Sequence, residues 1–431
     1  MNTAALYTIF LNSKGVSTDT RTLEKGSLFF ALSGPNFNGN EFALQALEKG
    51  ALAVVVDDPL IEDKDERTIL VKNTLQALQQ LATHHRDQLN TTLIALTGSN
   101  GKTTTKELIR EVLSAKFKVL ATVGNLNNHI GVPLTLLKLK KEHEIGIIEM
   151  GANHPGEIAA LAAIAKPNWG YITNFGKAHL EGFGSLEGVI RSKTELYRHL
   201  IQHNQRILIN RDDKEQVNHT QGANVIHFGT ASDADFVWKI VDAKEGTVCI
   251  QFQDHLIESK LYGSYNSTNL AAALSFGALL DVPMEDSKKA LGNYSPSNNR
   301  SQLIPIKQTE YVLDAYNANP TSMLAALEAF AQKSSRSKAV VLGDMKELGP
   351  TSLEEHEQII SRCLHFEFEK IILIGAQFGA TSTLEKRIEK YADLEAFLNS
   401  FEPLHWNYST VLIKGSRASQ LERLIPFFKS L

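Results

Sequence analysis

Cysteine is nearly absent from this sequence. Only Cys249 and Cys363 occur among 431 residues, and they lie far apart without the C-x-x-C spacing of a metal site. A disulfide framework and a zinc finger are therefore excluded. So few thiols favour a reducing compartment, in which both cysteines serve only in packing.

Long hydrophobic runs are absent as well. No apolar stretch approaches the roughly 20 residues that are needed to cross a bilayer. The N-terminus, MNTAALYTIF, lacks the basic start and the long apolar core of a secretory signal. We therefore expect a cytoplasmic protein that has no membrane partner.

The sequence also lacks an excess of charge of either sign. Its 44 basic and 48 acidic side chains leave a formal net charge of −4. Because no basic run offers a surface to phosphate backbones, nucleic acid is not an expected partner. Hydrophobic residues make up 43% of the chain, which is ordinary for a globular protein.

Apolar runs and turn residues divide the chain into three α/β parts. Residues 1–90 hold short strand-like runs and a helical pattern at 74–89, which predicts a small α/β domain. Residues 91–300 and 301–431 form two larger parts, separated by a polar segment at 295–301 that is typical of a linker. Strands of the last part are predicted at residues 311–313, 339–342, 371–374 and 411–413.

Strands and helices alternate in the middle part. Strands are predicted at 93–96 and 145–150, and helices at 103–115 and 155–165, the latter with Pro155 in its first turn. Such alternation favours a parallel sheet that is covered by helices on both faces.

The strongest single motif is TGSNGKTTT at residues 97–105, which follows a strand and precedes a helix. Gly98 and Gly101 allow a tight turn whose N–H groups can point at phosphate oxygens. Lys102 would reach the outer phosphates, and the Thr103 hydroxyl would bind Mg²⁺. Only two residues separate the glycines, so an accidental turn is the alternative. The loop predicts a nucleoside triphosphate but not its use.

Two further side chains follow predicted strands. Glu149 ends the apolar run IGIIEM, where α/β proteins place their ligands, and it could hold Mg²⁺ there. The alternative is an acid that faces solvent. His179 lies in a loop, NFGKAHLE, and is either a ligand or a surface residue. His154 is a weaker candidate because it could simply cap the helix predicted at Pro155.

Lys193 lies on the apolar stripe of a helical pattern at residues 185–200. One interpretation is a lysine that buries its stem and extends its ammonium to water. The other is an amine held inside a site, where desolvation lowers its pKa and CO₂ can convert it to an anionic carbamate. The residues alone leave both interpretations open.

Taken together, the motifs resemble those of the Mur ligase family of peptidoglycan synthesis along the whole chain. NLNNHIGVPL, DAYNANP and GDMKELG favour the branch that adds D-alanyl-D-alanine. The segments that carry the resemblance are STDTR, TGSNGKTTTKELI, VGNLNNHIGVPL, IEMG, NFGKAHLEGFGS, SKTEL, GSYNSTNLAA, DAYNANPTSM, VLGDMKELG and LIKGSR.

The resemblance implies a three-domain α/β fold. Residues 1–90 would bind the UDP-sugar, residues 91–300 would form a P-loop ATPase domain, and residues 301–431 would form a Rossmann-like domain for the incoming amine. The implied reaction is ATP-dependent, ADP-forming joining of D-alanyl-D-alanine to UDP-N-acetylmuramoyl-tripeptide through an acyl phosphate. A monomer that uses ATP and Mg²⁺ is expected.

The family's functional residues can be carried onto matching positions. The resemblance implies that Lys102, Lys193, His179 and Arg300 are catalytic. The implied metal ligands are Thr103, Glu149, His179 and carbamylated Lys193. The implied ATP contacts are Gly98, Ser99, Asn100, Gly101, Lys102, Thr103, Thr104, Asn266, Asn269, Arg300 and Asp314. The implied UDP-substrate contacts are Thr20, Arg21, Asn125, Asn127 and Asn128, and the implied amine contacts are Asn317 and Asn319.

The first domain departs from the family pattern. The chain reads Asn38-Gly39-Asn40 where relatives often have Asp-Gly-His, and it has Thr20 where many have serine. Rival functions are a sister ligase that adds a single amino acid, a folylpolyglutamate-type ligase, and a P-loop switch that binds partners without ligation. The folylpolyglutamate type is disfavoured by the dedicated first domain.

Overall fold

The computed structural model describes residues 2–62, 64–241, 246–383 and 385–430. Within these ranges the strands form sheets of four, nine and six strands and one two-stranded ribbon. We call the parts that contain the three larger sheets the first, central and third units. None of the helices in these ranges combines the length and apolarity that a membrane span requires.

The first unit is a small parallel sheet in the order β1-β2-β5-β6, with β3 and β4 forming the ribbon. Its strands are β1 (Val16–Ser17), β2 (Leu28–Phe30), β3 (Ser33–Gly34), β4 (Phe37–Asn38), β5 (Ala53–Val56) and β6 (Thr68–Leu70). Its helices are α1 (Thr3–Leu11), α2 (Ala43–Glu48), α3 (Pro59–Glu62) and α4 (Thr74–Asp87). The Asn73 side chain accepts a hydrogen bond from the Gln76 N–H and so begins α4.

The central unit holds the nine-stranded sheet. Its strands are β7 (Thr92–Thr97), β8 (Val119–Ala121), β9 (Ile145–Glu149), β10 (Trp169–Ile172), β11 (Arg206–Asn210), β12 (Val225–Gly229), β13 (Phe236–Val241), β14 (Thr247–Phe252) and β15 (His255–Tyr262). Its helices are α5 (Lys102–Ser114), α6 (Gly131–Leu136), α7 (Glu157–Ala165), α8 (Leu180–Phe183), α9 (Leu186–Lys193), α10 (Glu195–Gln202), α11 (Lys214–Asn218), α12 (Ser267–Leu279) and α13 (Met284–Asn293).

The predicted parallel central sheet is extended at one edge by antiparallel strands. The strand order is β15-β14-β13-β12-β11-β10-β7-β9-β8, and pairing is parallel from β8 to β13 but antiparallel from β13 to β15. Only Gln253 and Asp254 separate β14 from β15, and Gln253 has a φ of +50°. A two-residue connection permits only a hairpin, so these strands must run antiparallel.

Two predicted helices in the central unit also differ. The helix predicted from Pro155 begins at Glu157, because Gly156 has a φ of +88° and is its cap. The continuous helix predicted over 185–200 is broken at Thr194 into α9 and α10. The Thr194 N–H and hydroxyl both donate to the Ile190 carbonyl, at 2.9 Å and 2.8 Å, so the interruption is local.

The third unit is a six-stranded sheet in the order β16-β17-β21-β18-β19-β20, parallel except for the β16–β17 hairpin. Its strands are β16 (Gln302–Ile306), β17 (Thr309–Asp314), β18 (Lys338–Gly343), β19 (Lys370–Ile374), β20 (Ile388–Tyr391) and β21 (Thr410–Lys414). Its helices are α14 (Pro320–Gln332), α15 (Ser352–His365), α16 (Ala376–Gly379), α17 (Leu394–Ser400) and α18 (Leu424–Ser430). The predicted three-part α/β fold class is confirmed.

The three units are joined in two different ways. One apolar core contains Leu6, Phe10 and Leu81 of the first unit together with Ala95 and Leu136 of the central unit. The third unit has two cores of its own, and Tyr262 is the one central-unit side chain among their buried, described members. The central and third units therefore meet mainly through polar residues, and the candidate site lies between them.

Candidate active site

A cavity of about 830 Å³ opens between the central and third units. It lies at the carboxyl ends of β7 and β9, which is where parallel sheets usually bind ligands. The predicted site residues that line it are Ser99, Asn100, Gly101, Lys102, Thr103, Thr104, Asn125, Asn127, Asn128, Glu149, His179, Asn266, Asn269, Arg300, Asp314 and Asn317. Most of the residues predicted from sequence thus share one cavity.

The phosphate loop connects β7 to α5, and its two glycines cannot be replaced without strain. Gly98 has a φ of +146°, and a Cβ there would lie 1.9 Å from Thr173 Oγ1. Gly101 has a φ of +78°, and a Cβ there would lie 2.9 Å from Asn269 Oδ1. The loop is therefore packed between two neighbouring segments, which require glycine at both positions.

The segment after β10 fixes the loop from one side. Thr173 Oγ1 donates to the Asn100 carbonyl at 2.6 Å, and the Asn100 N–H donates to Asn174 Oδ1 at 3.0 Å. Ser99 Oγ donates to the Gly176 carbonyl at 2.9 Å. Sequence reasoning missed Asn174, although it lies in the same NFGKAHLE segment as His179. These bonds hold the loop in shape before any nucleotide arrives.

Two cations face the cavity from opposite units. Lys102 Nζ donates to the Gly98 carbonyl at 2.7 Å, and its pKa is lowered by burial and by the charge of Arg300. The Arg300 guanidinium stacks on the Tyr316 ring at 3.9 Å, and its Nε has no hydrogen-bond partner among the described residues. An anion between Lys102 and Arg300 would satisfy both groups.

Glu149 is buried inside the site and is only 2% exposed, so the alternative of an acid facing solvent is wrong. Its Oε1 accepts a hydrogen bond from Asn127 Nδ2 at 2.8 Å. Its Oε2 has no hydrogen-bond partner in the described residues, although Lys106 Nζ lies 3.8 Å away. Lys106 is fully buried and donates to the Thr122 carbonyl at 2.6 Å. Sequence reasoning missed Lys106, which sits one helical turn after Lys102.

His179 and Lys193 approach the site around a shared aromatic ring. The His179 and Phe183 ring centroids are 6.4 Å apart, and Lys193 Nζ lies 5.1 Å from the Phe183 centroid. His179 Nδ1 is in contact with the Glu347 carboxylate of the third unit. Glu347 belongs to the GDMKELG motif, but nothing in the sequence pattern paired it with His179.

Lys193 does not extend its amine to water, so the first interpretation of this residue is wrong. The residue is 1% exposed, and Nζ lies 3.4 Å from the Ala152 carbonyl. Burial, together with the charge of Lys102, lowers the pKa of Lys193 to about 7. Lys193 lies behind the cavity wall at Ala152 and does not line the cavity itself. The His154 side chain, in contrast, is 67% exposed and does not cap α7.

The predicted metal ligands fit a magnesium ion. Thr103, Glu149 and His179 line the same cavity, and Glu149 Oε2 is a buried oxygen without a hydrogen bond. Within the described ranges no three His, Cys, Asp or Glu side chains cluster as a self-sufficient metal cage. Mg²⁺ is usually held by one or two carboxylates together with substrate phosphates.

The far end of the cavity is lined by amides. Asn266 Nδ2 donates to the Tyr262 carbonyl and Asn269 Nδ2 donates to Asn266 Oδ1, both at 2.8 Å. Asp314 pairs with the buried Lys414, which also lines the cavity. Lys414 lies in the LIKGSR motif but was not singled out from the sequence. Its pairing means that the Asp314 carboxylate is already held in place.

The predicted substrate residues are only partly brought together. Asn317 lines the cavity, whereas Asn319 caps α14 and donates from Nδ2 to Asn100 Oδ1 at 2.7 Å. Thr20 and Arg21 lie away from the cavity in the first unit. Thr20 Oγ1 donates to Gln45 Oε1 at 2.9 Å, and the exposed Arg21 pairs with Asp19.

Comparisons with known proteins agree along the chain. Residues 12–86 match the model described as Mur ligase family, catalytic domain, residues 96–277 match the Mur ligase middle domain, and residues 299–417 match the Mur ligase, glutamate ligase domain. The UDP-N-acetylmuramoyl-tripeptide–D-alanyl-D-alanine ligase of Escherichia coli (strain K12) is 35% identical over 421 residues, which are 95% of this chain and 92% of that protein.

Solved structures give the same result. A crystal structure of MurF from Acinetobacter baumannii superposes with a TM-score of 0.89 at 30% identity, covering 100% of this chain and 99% of that one. The MurF ligase of Thermotoga maritima, solved in complex with ADP, superposes with a TM-score of 0.85 at 29% identity, covering 98% of each chain.

Proposed function

The chain belongs to the Mur ligase family, and from that premise we propose that it joins D-alanyl-D-alanine to UDP-N-acetylmuramoyl-tripeptide. ATP is converted to ADP and phosphate in the reaction. The observation that carries the proposal is the arrangement of Lys102, Glu149 and Arg300 around one cavity between two units. A phosphate loop that faces a second unit is suited to transferring a phosphoryl group to a bound substrate.

The first step activates the carboxylate of the tripeptide. A carboxylate oxygen attacks the γ-phosphorus of ATP, a new P–O bond forms, and ADP leaves with the electrons of the broken bond. Lys102 and Arg300 stabilise the negative charge on the transferring group, since both cationic side chains line the cavity. The product is an acyl phosphate, which is a far better electrophile than the carboxylate.

Thr103, Glu149, His179 and a modified Lys193 would hold Mg²⁺, which supplies neutralisation of phosphate charge. Asn127 holds Glu149 Oε1 through its 2.8 Å hydrogen bond, so that Oε2 remains available. The amides of Asn266 and Asn269 would contact the adenine, and Asp314 would contact the ribose. The first unit, with Thr20 and Arg21, would bind the uridine diphosphate of the substrate.

The second step forms the amide bond. The free amine of D-alanyl-D-alanine attacks the acyl carbon, and phosphate leaves while the amine loses a proton. The acyl phosphate must be kept from water until then, and the third unit covers the cavity from the side of Asn317 and Arg300. Asn317 is our candidate for a contact with the amine substrate.

Lys193 is proposed to act as a carbamate. Near its pKa of about 7 a large share of the buried amine is neutral and can attack CO₂, forming an N–C bond and releasing a proton. The charge of this side chain, which lies behind the cavity wall at Ala152, then changes from positive to negative. We expect Lys193→Ala to lose activity and to regain part of it when short carboxylic acids are added. Wild-type activity of the variant, without any rescue, would exclude the carbamate.

ADP release with each substrate omitted in turn tests the function. We expect release only when the nucleotide-tripeptide and D-alanyl-D-alanine are both present, and much less with single amino acids. Lys102→Ala should lower kcat by about 10²–10³-fold, as loss of a charge-stabilising donor does elsewhere. The exposed Lys138→Ala serves as the matched control. ADP release without an acceptor would indicate a nucleotide switch instead.

A further inference from the structure

One contact reaches from the third unit to a predicted metal ligand of the central unit. The Glu347 carboxylate contacts His179 Nδ1, and the Glu181 N–H donates to the Glu347 carbonyl at 3.1 Å. Glu347 lies in the loop between β18 and α15, whereas His179 precedes α8. The two residues are therefore brought together only when the two units are in contact.

The backbone at both positions is unusual. His179 has a φ of +53° and Glu347 a φ of +61°, which is the left-handed region that residues other than glycine seldom occupy. Such conformations persist where surrounding contacts fix them, and they are concentrated at functional sites. Both residues with this backbone conformation lie on the same contact between the two units.

The contact also determines which nitrogen of His179 is free. With Nδ1 against Glu347, Nε2 is the ring nitrogen left for the cavity, which His179 lines. A histidine that binds a metal usually donates its other N–H to a carboxylate, which fixes its tautomer and raises its basicity. The Glu347 carboxylate lies at the place of that acceptor, in contact with Nδ1 but not yet in a hydrogen bond with it.

We propose that Glu347 is a positioning residue that prepares His179 for the metal, so that the third unit completes the metal site of the central unit. The proposal rests on the proposed function, because it takes His179 as a ligand. Cation binding at Nε2 would make Nδ1–H a stronger donor and draw it into a hydrogen bond with the Glu347 carboxylate that it already contacts, so that each event favours the other. Metal affinity and docking of the third unit are thereby coupled, and the coupling is reciprocal.

A second charge pair on the same interface provides a matched control. Lys177 Nζ lies 2.6 Å from Glu355 Oε1, again between the central and third units, but this pair does not touch His179. Glu355→Gln weakens the interface by one carboxylate charge, as Glu347→Gln does. Only Glu347→Gln alters the partner of His179.

The experiment measures Mn²⁺ binding by electron paramagnetic resonance, with β,γ-methylene-ATP present and no turnover. We expect Glu347→Gln to weaken Mn²⁺ binding by about 10- to 100-fold, the usual loss when the partner of a metal-binding histidine is removed. Glu355→Gln should weaken it by no more than about five-fold, since it acts only through docking. In His179→Ala, adding Glu347→Gln should cost nothing further.

Small-angle scattering supplies a second readout. Mn²⁺ with the ATP analogue should compact the wild type more than the Glu347→Gln variant. Equal Mn²⁺ affinity in the wild type and Glu347→Gln would overturn the proposal. Tighter binding in the variant would overturn it too, by showing that Glu347 holds His179 as a cation that competes with the metal. If the wild type still formed the amide bond normally, either of these two results would leave the proposed function standing.

Discussion

The central unit contacts the first and the third unit through different kinds of interaction. Its junction with the first unit is apolar: α1 and α4 share a core with α6 and α7, formed by side chains such as Phe10, Leu81 and Leu136. Its junction with the third unit is mainly polar, and includes the Lys177–Glu355 and His179–Glu347 pairs and the Asn319–Asn100 hydrogen bond. We call these the apolar junction and the polar junction.

The different character of the two junctions suits a first unit that stays fixed and a third unit that moves. Burial of apolar surface stabilises the folded protein by about 25 cal/mol per Å², and contact with water does not compensate for exposing that surface again. A polar contact contributes only about 1 kcal/mol net, because water can take the place of either partner. The first unit is thus held firmly against α6 and α7 of the central unit, whereas we expect the third unit to dock and release during each reaction cycle. The predictions below test this contrast.

The largest effect is expected at the apolar junction. Leu81 is fully buried in α4, and Leu81→Ala should lower the free energy of unfolding by about 2–5 kcal/mol, through lost burial and the cavity left behind. Urea denaturation measures this change. Leu60 is 78% exposed, so Leu60→Ala is the control and should change stability by less than about 0.5 kcal/mol. Similar losses in the two variants would mean that the apolar junction is not a true core.

A smaller effect, dependent on pH, is expected from His85 in the same junction. Its Nε2 lies 2.9 Å from the Leu139 carbonyl, and its Nδ1 lies 3.2 Å from Tyr7 Oη. Burial lowers the pKa of His85 below its usual 6.5, and the neighbouring His84 lowers it further. The unfolded chain therefore takes up a proton more readily than the folded chain as the pH falls.

It follows that the contribution of neutral His85 to the free energy of unfolding is fully present above about pH 6.5. Below that pH it is lost, by at most about 1.4 kcal/mol per pH unit. In His85→Gln this loss should be missing. Urea denaturation of the wild type and His85→Gln at pH 7.5, 6.5 and 5.5 measures the loss. The contributions of all other titratable groups cancel in the difference between the two proteins. Parallel stability curves over that range would contradict the assignment.

Much of the site could be predicted because local patterns determine it. A glycine loop between strand and helix, and an acid at the end of an apolar strand, specify Lys102 and Glu149. The carboxyl ends of the adjacent parallel strands β7, β9 and β10 then bring Lys102, Glu149 and the loop with His179 together. The phosphate loop of the central unit can therefore be predicted from the sequence alone.

The polar junction could not be read in this way. Which residue of the third unit faces His179 depends on how two separately folded units dock, and no periodicity along the chain encodes that. Glu347 and Lys414 belong to recognised motifs, yet their partners lie in other segments. Lys106 was missed for a different reason. A lysine one turn after Lys102 is usually a surface residue, but here it is buried beside Glu149.

The smallest effect on stability, but a visible one on catalysis, is expected at the polar junction. Glu355→Gln removes the partner of Lys177, whose side chain is 44% exposed and can therefore be rehydrated. The free energy of unfolding should change by less than about 1 kcal/mol. The same energy acts on docking of the third unit, so kcat/KM for D-alanyl-D-alanine should fall by up to about five-fold.

Glu389→Gln is the matched control, because Glu389 pairs with Lys370 between β19 and β20 and lies wholly within the third unit. It removes the same charge on the same unit but leaves the polar junction untouched, so its kcat/KM should equal that of the wild type. If both variants lost activity equally, net charge of the third unit would explain the effect and its docking would not. If Glu355→Gln instead lowered stability as much as Leu81→Ala, the two junctions would be equally permanent, and a third unit that docks and releases would be ruled out.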